Sequence, residues 1–264
     1  SASGYNIYNS LKGNSVDLVK LMVGSEGTLA VITEAKLKLA VLPRFRASLL
    51  LFLKDISSIA EIVAELRGLS PSAVEFMDET FIRLALDVEP KLRDLLQKGA
   101  KGVFLVEIEE NDTLSLDQKI GAIKGRLLDE RKLVSGMNVA KSEDEQDRIW
   151  GVRRAAVPIT NRIKGKKRPI PFIEDAIVPP ENLDEFIIGS YALFEKYGVE
   201  ACIYGHAGDG NMHIRPFLDM KDKADLAKID KIADDFYRMV ISLGGSTTAE
   251  HGDGILRVPY LKRQ

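Results

Sequence analysis

The chain has 264 residues, 45% hydrophobic and 29% charged, with a formal net charge of −2, as expected of a globular protein of one large domain or two small ones. That balance gives no electrostatic reason to bind nucleic acid, and no apolar run approaches the ~18–20 residues of a membrane span. The single cysteine, Cys202, excludes an internal disulfide and a cysteine-ligated iron–sulfur cluster within these residues, and fits a reducing, cytoplasmic setting.

The chain opens on Ser1-Ala-Ser-Gly, without an initiating methionine or the basic and apolar start of a signal peptide, and reads as a piece of something longer. Gly24-Ser-Glu-Gly-Thr28 offers consecutive backbone N–H groups and two hydroxyls, the ingredients of an anion cradle. Its spacing matches neither dinucleotide nor P-loop patterns, so a plain turn is an equal reading. Val31, Thr33, Ala35, Leu37 and Leu39 then alternate with Ile32, Glu34, Lys36 and Lys38, which predicts a half-buried strand. Pro43 marks a change of composition, and a boundary is expected there, dividing residues 1–43 from 44–264.

Beyond it, Ala47–Leu53, Ala73–Met77, Val103–Ile108, Gly136–Ala140, Phe172–Val178 and a hairpin over Ala201–Phe217 read as strands. Helical patterns fill the gaps: Ile56–Leu66, a stripe from Leu183 to Phe194 closed by Gly198, and another from Leu226 to Leu243 closed by Gly244-Gly245. Ser142-Glu-Asp-Glu145 is a capping-box pattern opening the helix that carries Trp150 and Arg153. The class is α+β with a largely antiparallel sheet.

All three histidines fall in two glycine-rich segments, Gly205-His-Ala-Gly-Asp-Gly-Asn-Met-His213 and Ala249-Glu-His-Gly-Asp-Gly254. Asp209-Gly210 suits a two-residue type I′ turn, which would set His206 opposite His213 and Tyr204 opposite Arg215. Strand alternation places Tyr204, His206, Asn211, His213 and Arg215 on one face and Ile203, Met212 and Ile214 on the other. Two facing imidazoles can hold a Zn-like divalent cation with a third, carboxylate ligand, for which Glu250 is the candidate. Adjacent residues of an extended chain point apart, so Glu250 and His251 are not expected both to be ligands. These residues alone leave open a His₂Glu metal-dependent hydrolase and a non-catalytic metal- or ligand-binding module. Other polar features have plainer readings. Asp209 and Asp253 serve turns, Cys202 is a small buried neighbour, Trp150 packs its helix, Glu107, Glu109 and Glu110 face water, and Arg162–Arg168 is a solvated basic loop.

Together, Val23-Gly-Ser-Glu-Gly-Thr-Leu-Ala-Val-Ile-Thr-Glu34 and the two histidine segments resemble the FAD-linked oxidases of the vanillyl-alcohol-oxidase type, in particular the D-lactate, glycolate and D-2-hydroxyglutarate dehydrogenase branch. The resemblance implies a ferredoxin-like cap, or substrate, domain over residues 44–264, truncated at its C-terminus, preceded by the tail of an FAD-binding domain. It also implies flavin contacts at Gly24, Ser25, Gly27, Thr28 and Ile32, a divalent metal on His206, His213 and Glu250, a base at His251, and an arginine for the substrate carboxylate at Arg153. Ile173 stands where some relatives have a lysine, so Arg215, with Asn211 beside it, is expected to share in substrate binding. The glycine-rich pyrophosphate loop that begins the family's FAD domain is absent, and the piece is expected to be inactive alone. The implied partners are a small 2-hydroxy acid and an electron acceptor, including an iron–sulfur segment outside these residues.

Overall fold

A computed structural model describes residues 3–264. Its centre is one sheet built from β1 (Phe45–Leu53), β2 (Ala73–Asp78), β3 (Gly102–Glu110), β4 (Val134–Ala140), the two-residue strands β5 (Arg168–Pro169) and β6 (Ala176–Ile177), β7 (Ala201–His206) and β8 (Asn211–Leu218). The order is β4-β1-β3-β2-β7-β8-β5, with β6 also on β8, and every pairing is antiparallel. Helix α1 (Ile59–Arg67) joins β1 to β2, α2 (Glu79–Val88) joins β2 to β3, and α3 (Thr113–Ile123) joins β3 to β4. With α2 set aside, this is the β-α-β-β-α-β ferredoxin-like unit in the order 4-1-3-2, extended by the histidine hairpin along β2.

The apolar run Leu49–Leu53 is continuous because the sheet is covered on both sides. Leu49, Leu51, Phe76, Phe104 and Val106 face one core together with α1, α3, α6 (Leu183–Tyr197) and α7 (Lys223–Ser242). Leu50, Phe52, Met77, Val103, Leu105, Cys202 and Tyr204 face the other, under α2, α4 (Glu143–Arg154) and α5 (Ala156–Asn161). Local signals set the helix ends. Ser142 and Glu145 make the reciprocal capping box of α4, and Gly198, at φ 61°, closes α6 in the left-handed conformation. No helix among the described residues is long and apolar enough to cross a membrane.

Three expected features form differently. The alternating segment after Gly24 is irregular and exposed, with Val31 87%, Leu37 79% and Leu39 88% accessible. No neighbouring strand in the described residues offers it a ladder, and alternation without a partner makes no sheet. The strand expected over Phe172–Val178 is reduced to Ala176–Ile177, because Asp175 takes a φ of 78° and turns the chain just ahead of it. The hairpin closes with four residues rather than two: Ala207–Asp209 form a 3₁₀ turn, Gly210 follows at φ 79°, and His206 pairs with Asn211 rather than His213. A Cβ at Gly210 would collide with the carbonyl of Val178.

Asp78 ties these parts together. Its carboxylate caps α2 by accepting from the Phe81 N–H at 2.8 Å, and it also accepts from the Ile203 N–H of β7 and the Tyr191 hydroxyl of α6, both at 3.1 Å. Complete burial raises its pKa from 3.8 to about 7 against the pull of these donors. Between those values the unfolded chain has lost the proton that the folded chain retains, so this group's contribution to stability falls as pH rises from about 4 to 7. Urea unfolding of Asp78→Asn at pH 5 and pH 7 should show this pH-dependent component gone, whatever the variant's stability at either pH.

Candidate active site

The histidine hairpin brings its polar face to the end of the sheet. The offset of two residues in its pairing keeps the side-chain parity, so Tyr204, His206, Asn211, His213 and Arg215 share one face as expected, while Ile203, Met212 and Ile214 enter the core. The rings of His206 and His213 lie diagonally across the ladder, with centroids 5.2 Å apart and nearly perpendicular. On the far side of β8, β6 pairs Met212 with Ala176, so Glu174 and Asp175, just ahead of β6, come beside His213. A bridge between Ile177 and Ser246 then carries the second glycine-rich segment to the same place.

Asp175 folds that second segment. Its carboxylate accepts from Asn211 Nδ2 at 2.9 Å, Thr248 Oγ1 at 2.5 Å and the backbone N–H groups of Ala249, Glu250 and His251 at 2.9–3.3 Å. Burial opposes its ionisation, but the bonds from Thr248, His251 and Asn211 prevail and hold its pKa below the usual carboxylate range. Because the chain curls around this anion, the side chains of Glu250 and His251 both turn toward the hairpin, contrary to the expectation for extended neighbours. Glu250 Oε1 lies 3.3 Å from His206 Nε2, 3.5 Å from His213 Nε2 and 3.5 Å from His251 Nε2. The His251 ring stacks on His213 at 5.3 Å with 11° between planes and remains 44% exposed.

The imidazoles differ in their surroundings. His206 Nδ1 is 2.6 Å from Glu75 Oε1, and this bond raises the His206 pKa against the effect of burial. His213 is lowered to about 3 by burial, reinforced by the charges of His206, Arg153 and His251, and is neutral at pH 7. Arg153 reaches from α4 to Glu75 Oε2 at 2.6 Å, and Arg215 binds Glu174 Oε1 at 2.9 Å. Both guanidiniums flank the Tyr204 ring, 5.2 and 5.9 Å from its centroid. Asn211 donates to Asp175 through its amide nitrogen, and its buried oxygen accepts no hydrogen bond. Among the described residues, four of the five buried side-chain polar atoms with no hydrogen-bond partner belong to this face: Tyr204 OH, Asn211 Oδ1, His213 Nδ1 and Arg215 Nε. Buried polar atoms are seldom left unpaired, so this face carries an unusual share of uncompensated polarity.

The donor set fits a cation. Ligands ~2.0–2.1 Å from a tetrahedral Zn²⁺ stand about 3.3–3.4 Å from one another, which matches the spacing of His206 and His213 Nε2 from Glu250 Oε1. Asp175, His213, Glu250 and His251 also present donor atoms within 4.8 Å of one another. Asp175 is the weaker candidate of these, because both its oxygens already accept several bonds. Four carboxylates, Glu75, Glu174, Asp175 and Glu250, face two arginines here, a balance that a divalent ion would redress.

The glycine turn lies close by. Gly24 and Gly27 have φ of 81° and 74°, Glu26 has 54°, Ser25 is buried, and Thr28 Oγ1 donates to the Ser25 carbonyl. A Cβ on Gly252, the residue after His251, would collide with the Glu26 carboxylate. Ile32, on the irregular stretch beyond, is 69% exposed. Sequence reasoning did not single out Glu75, Glu174 or Asp175. Glu75 lies among apolar strand residues, and the pairing of Met77 with Tyr204 and Phe76 with Gly205 leads directly to a Glu75–His206 pair, which was the available signal. Glu107 does not face water as expected: it accepts from Trp150 Nε1 at 2.7 Å and anchors α4. Cys202 is buried as expected, with its thiol on Asp78, and Asp253 accepts from Ser3 and Thr247 within its turn.

The chain belongs to the FAD-linked oxidase C-terminal domain family, whose model matches residues 42–264. It is similar to D-2-hydroxyglutarate dehydrogenase of Haemophilus influenzae, with 30% identity over 96% of this chain and 26% of the relative. It is also similar to glycolate oxidase subunit GlcD of Bacillus subtilis, with 32% identity over 93% of this chain and 51% of the relative. The chain thus spans between about a quarter and a half of the length of these relatives. Its fold is that of 4-ethylphenol oxidase from Gulosibacter chungangensis, solved as an isoeugenol complex, with a TM-score of 0.58 and 14% identity over 80% of this chain and 47% of that one.

If Asp175 shapes the turn as these contacts indicate, Asp175→Ala should release Glu250 and His251 together. Hydrogen–deuterium exchange should then rise at the amides of 249–251 while the strand amides of β1 and β3 keep their protection. Unchanged exchange across 249–251 would refute that role.

Proposed function

We propose that this chain is the substrate-domain portion of an FAD-dependent oxidoreductase that converts a small 2-hydroxy acid, of the D-lactate, glycolate or D-2-hydroxyglutarate kind, to its 2-oxo acid. The observation that carries this reading is the convergence of three imidazole Nε2 atoms on Glu250 Oε1 in a face of unpartnered buried polar atoms. The family supports FAD as the cofactor, and the glycine turn against Gly252 supports Gly24, Ser25, Gly27, Thr28 and Ile32 as the flavin side of the site. His206, His213 and Glu250 would hold the divalent cation.

Arg153 and Arg215 bind the substrate carboxylate, with Asn211 Oδ1 accepting a nearby hydroxyl. His251, the most exposed of the three imidazoles by side-chain accessibility, receives the proton of the 2-hydroxyl at Nε2, the general-base role for which an imidazole is suited. When bound, the cation would make that hydroxyl more acidic, and the flavin would accept the hydride from C2. Tyr204, 2% exposed, would pack beside the carboxylate end of the substrate. The reaction would need an electron acceptor, which we take to include an iron–sulfur segment outside these residues. The hydrolase reading gains nothing from the structure, because it has no use for the glycine turn beside His251.

The test is turnover of D-lactate, glycolate and D-2-hydroxyglutarate by the complete protein, with and without a chelator. His213→Ala and chelation should each lower kcat/KM at least about 100-fold on the best substrate, in line with the loss of a Lewis-acid contribution of several kcal/mol. Full activity in the chelated protein would remove the metal from the proposal. Absence of a flavin absorption band in the complete protein would remove the oxidoreductase itself.

A further inference from the structure

We propose that Glu75 is a positioning residue that joins the two halves of the site, fixing His206 for the cation through one oxygen and Arg153 for the substrate through the other. This rests on the reading of His206 as a metal ligand and Arg153 as a substrate ligand. The carboxylate is 6% exposed, with Oε1 2.6 Å from His206 Nδ1 and Oε2 2.6 Å from Arg153 Nε. An ionised carboxylate only accepts hydrogen bonds, so the Nδ1 of His206 carries a proton, which leaves Nε2, 3.3 Å from Glu250 Oε1, to offer its lone pair to a cation shared with that carboxylate. His213 has no such support, since its Nδ1 is unpaired and Glu174 Oε1 is 3.8 Å away. Glu75 is placed by strand register rather than by a loop, next along from the Phe76–Gly205 and Met77–Tyr204 pairs. Rigid elements on either side, β2 and β7, therefore set the imidazole, and the same anion draws in the guanidinium from α4.

Replacing Glu75 by glutamine separates this role from mere packing. The amide oxygen is drawn to the charged donor Arg153, which turns the NH₂ group toward His206 Nδ1. A donor there makes Nδ1 the acceptor, moves the ring proton to Nε2 and blocks the lone pair needed by the cation. In the complete flavoprotein, stripped of metal and titrated with Zn²⁺ against a chelating dye, Glu75→Gln should weaken Zn²⁺ binding about 10–100-fold. Arg153→Met alone should leave it within about threefold of the unaltered protein. In the Arg153→Met background the amide is free to turn its oxygen to His206, and Glu75→Gln should then have no further effect. An equal loss in both backgrounds, or none in either, would overturn the proposal. Should the unaltered protein bind Zn²⁺ no better than His213→Ala, the metal reading fails. The crystal structure of Glu75→Ala still decides the role of Glu75: displaced His206 and Arg153 side chains support it, and unmoved ones refute it.

Discussion

A single buried carboxylate, that of Asp175, collects the amide of Asn211, the hydroxyl of Thr248 and three successive backbone N–H groups. Without that anion the chain from Ala249 to His251 has no reason to curl, and Glu250 and His251 would point apart. The left-handed backbone of Asp175 itself ends the approach to β6 and leaves Glu174 on the opposite flank, against Arg215. One residue thereby sets two of the four carboxylates around the histidines and joins the hairpin to a segment more than seventy residues away in sequence. The cost of such burial is met by the number of donors, as a desolvated anion requires.

The rest of the architecture supplies rigidity. The 4-1-3-2 sheet is filled on both faces, and β7 and β8 extend it as a stiff edge whose side chains inherit the strand alternation. Helix α4 is bound to this sheet by Gln146 on Arg46, by Trp150 on Glu107 and by Arg153 on Glu75, so the arginine arrives from a second layer at a fixed height. Asp78 does the same for α2, α6 and β7. Sites carried on helices and strands hold their geometry better than sites carried on loops, and here only the turn around Asp175 depends on a loop.

Much of this was legible from residue order. The nearly continuous apolar runs over Ala47–Leu53 and Val103–Ile108, the capping box at Ser142 and the glycine stops at Gly198 and Gly244 each report a local physical preference. The histidine face was legible even though the turn was misjudged, because a shift of two residues preserves which side of the pleat a residue occupies. What escaped was non-local. An acid in a strand, such as Glu75 or Glu107, looks the same as a solvated one until its partner on another element is known. A positive φ at Asp175 is forced by five donors drawn from distant segments. The segment from Val31 to Leu39 has the pattern of a strand, yet pattern without a neighbouring ladder does not make one.

Tyr204 has the guanidiniums of Arg153 and Arg215 near its ring and its own hydroxyl buried and unpaired. Each arginine is already paired with its own glutamate, Arg153 with Glu75 and Arg215 with Glu174. An anion approaching this face meets guanidiniums that are each already paired with a carboxylate, so a cation a few ångströms away would help to accommodate its charge. A cation in the proposed site would offset the charge of the acid, so that occupancy by either would favour the other.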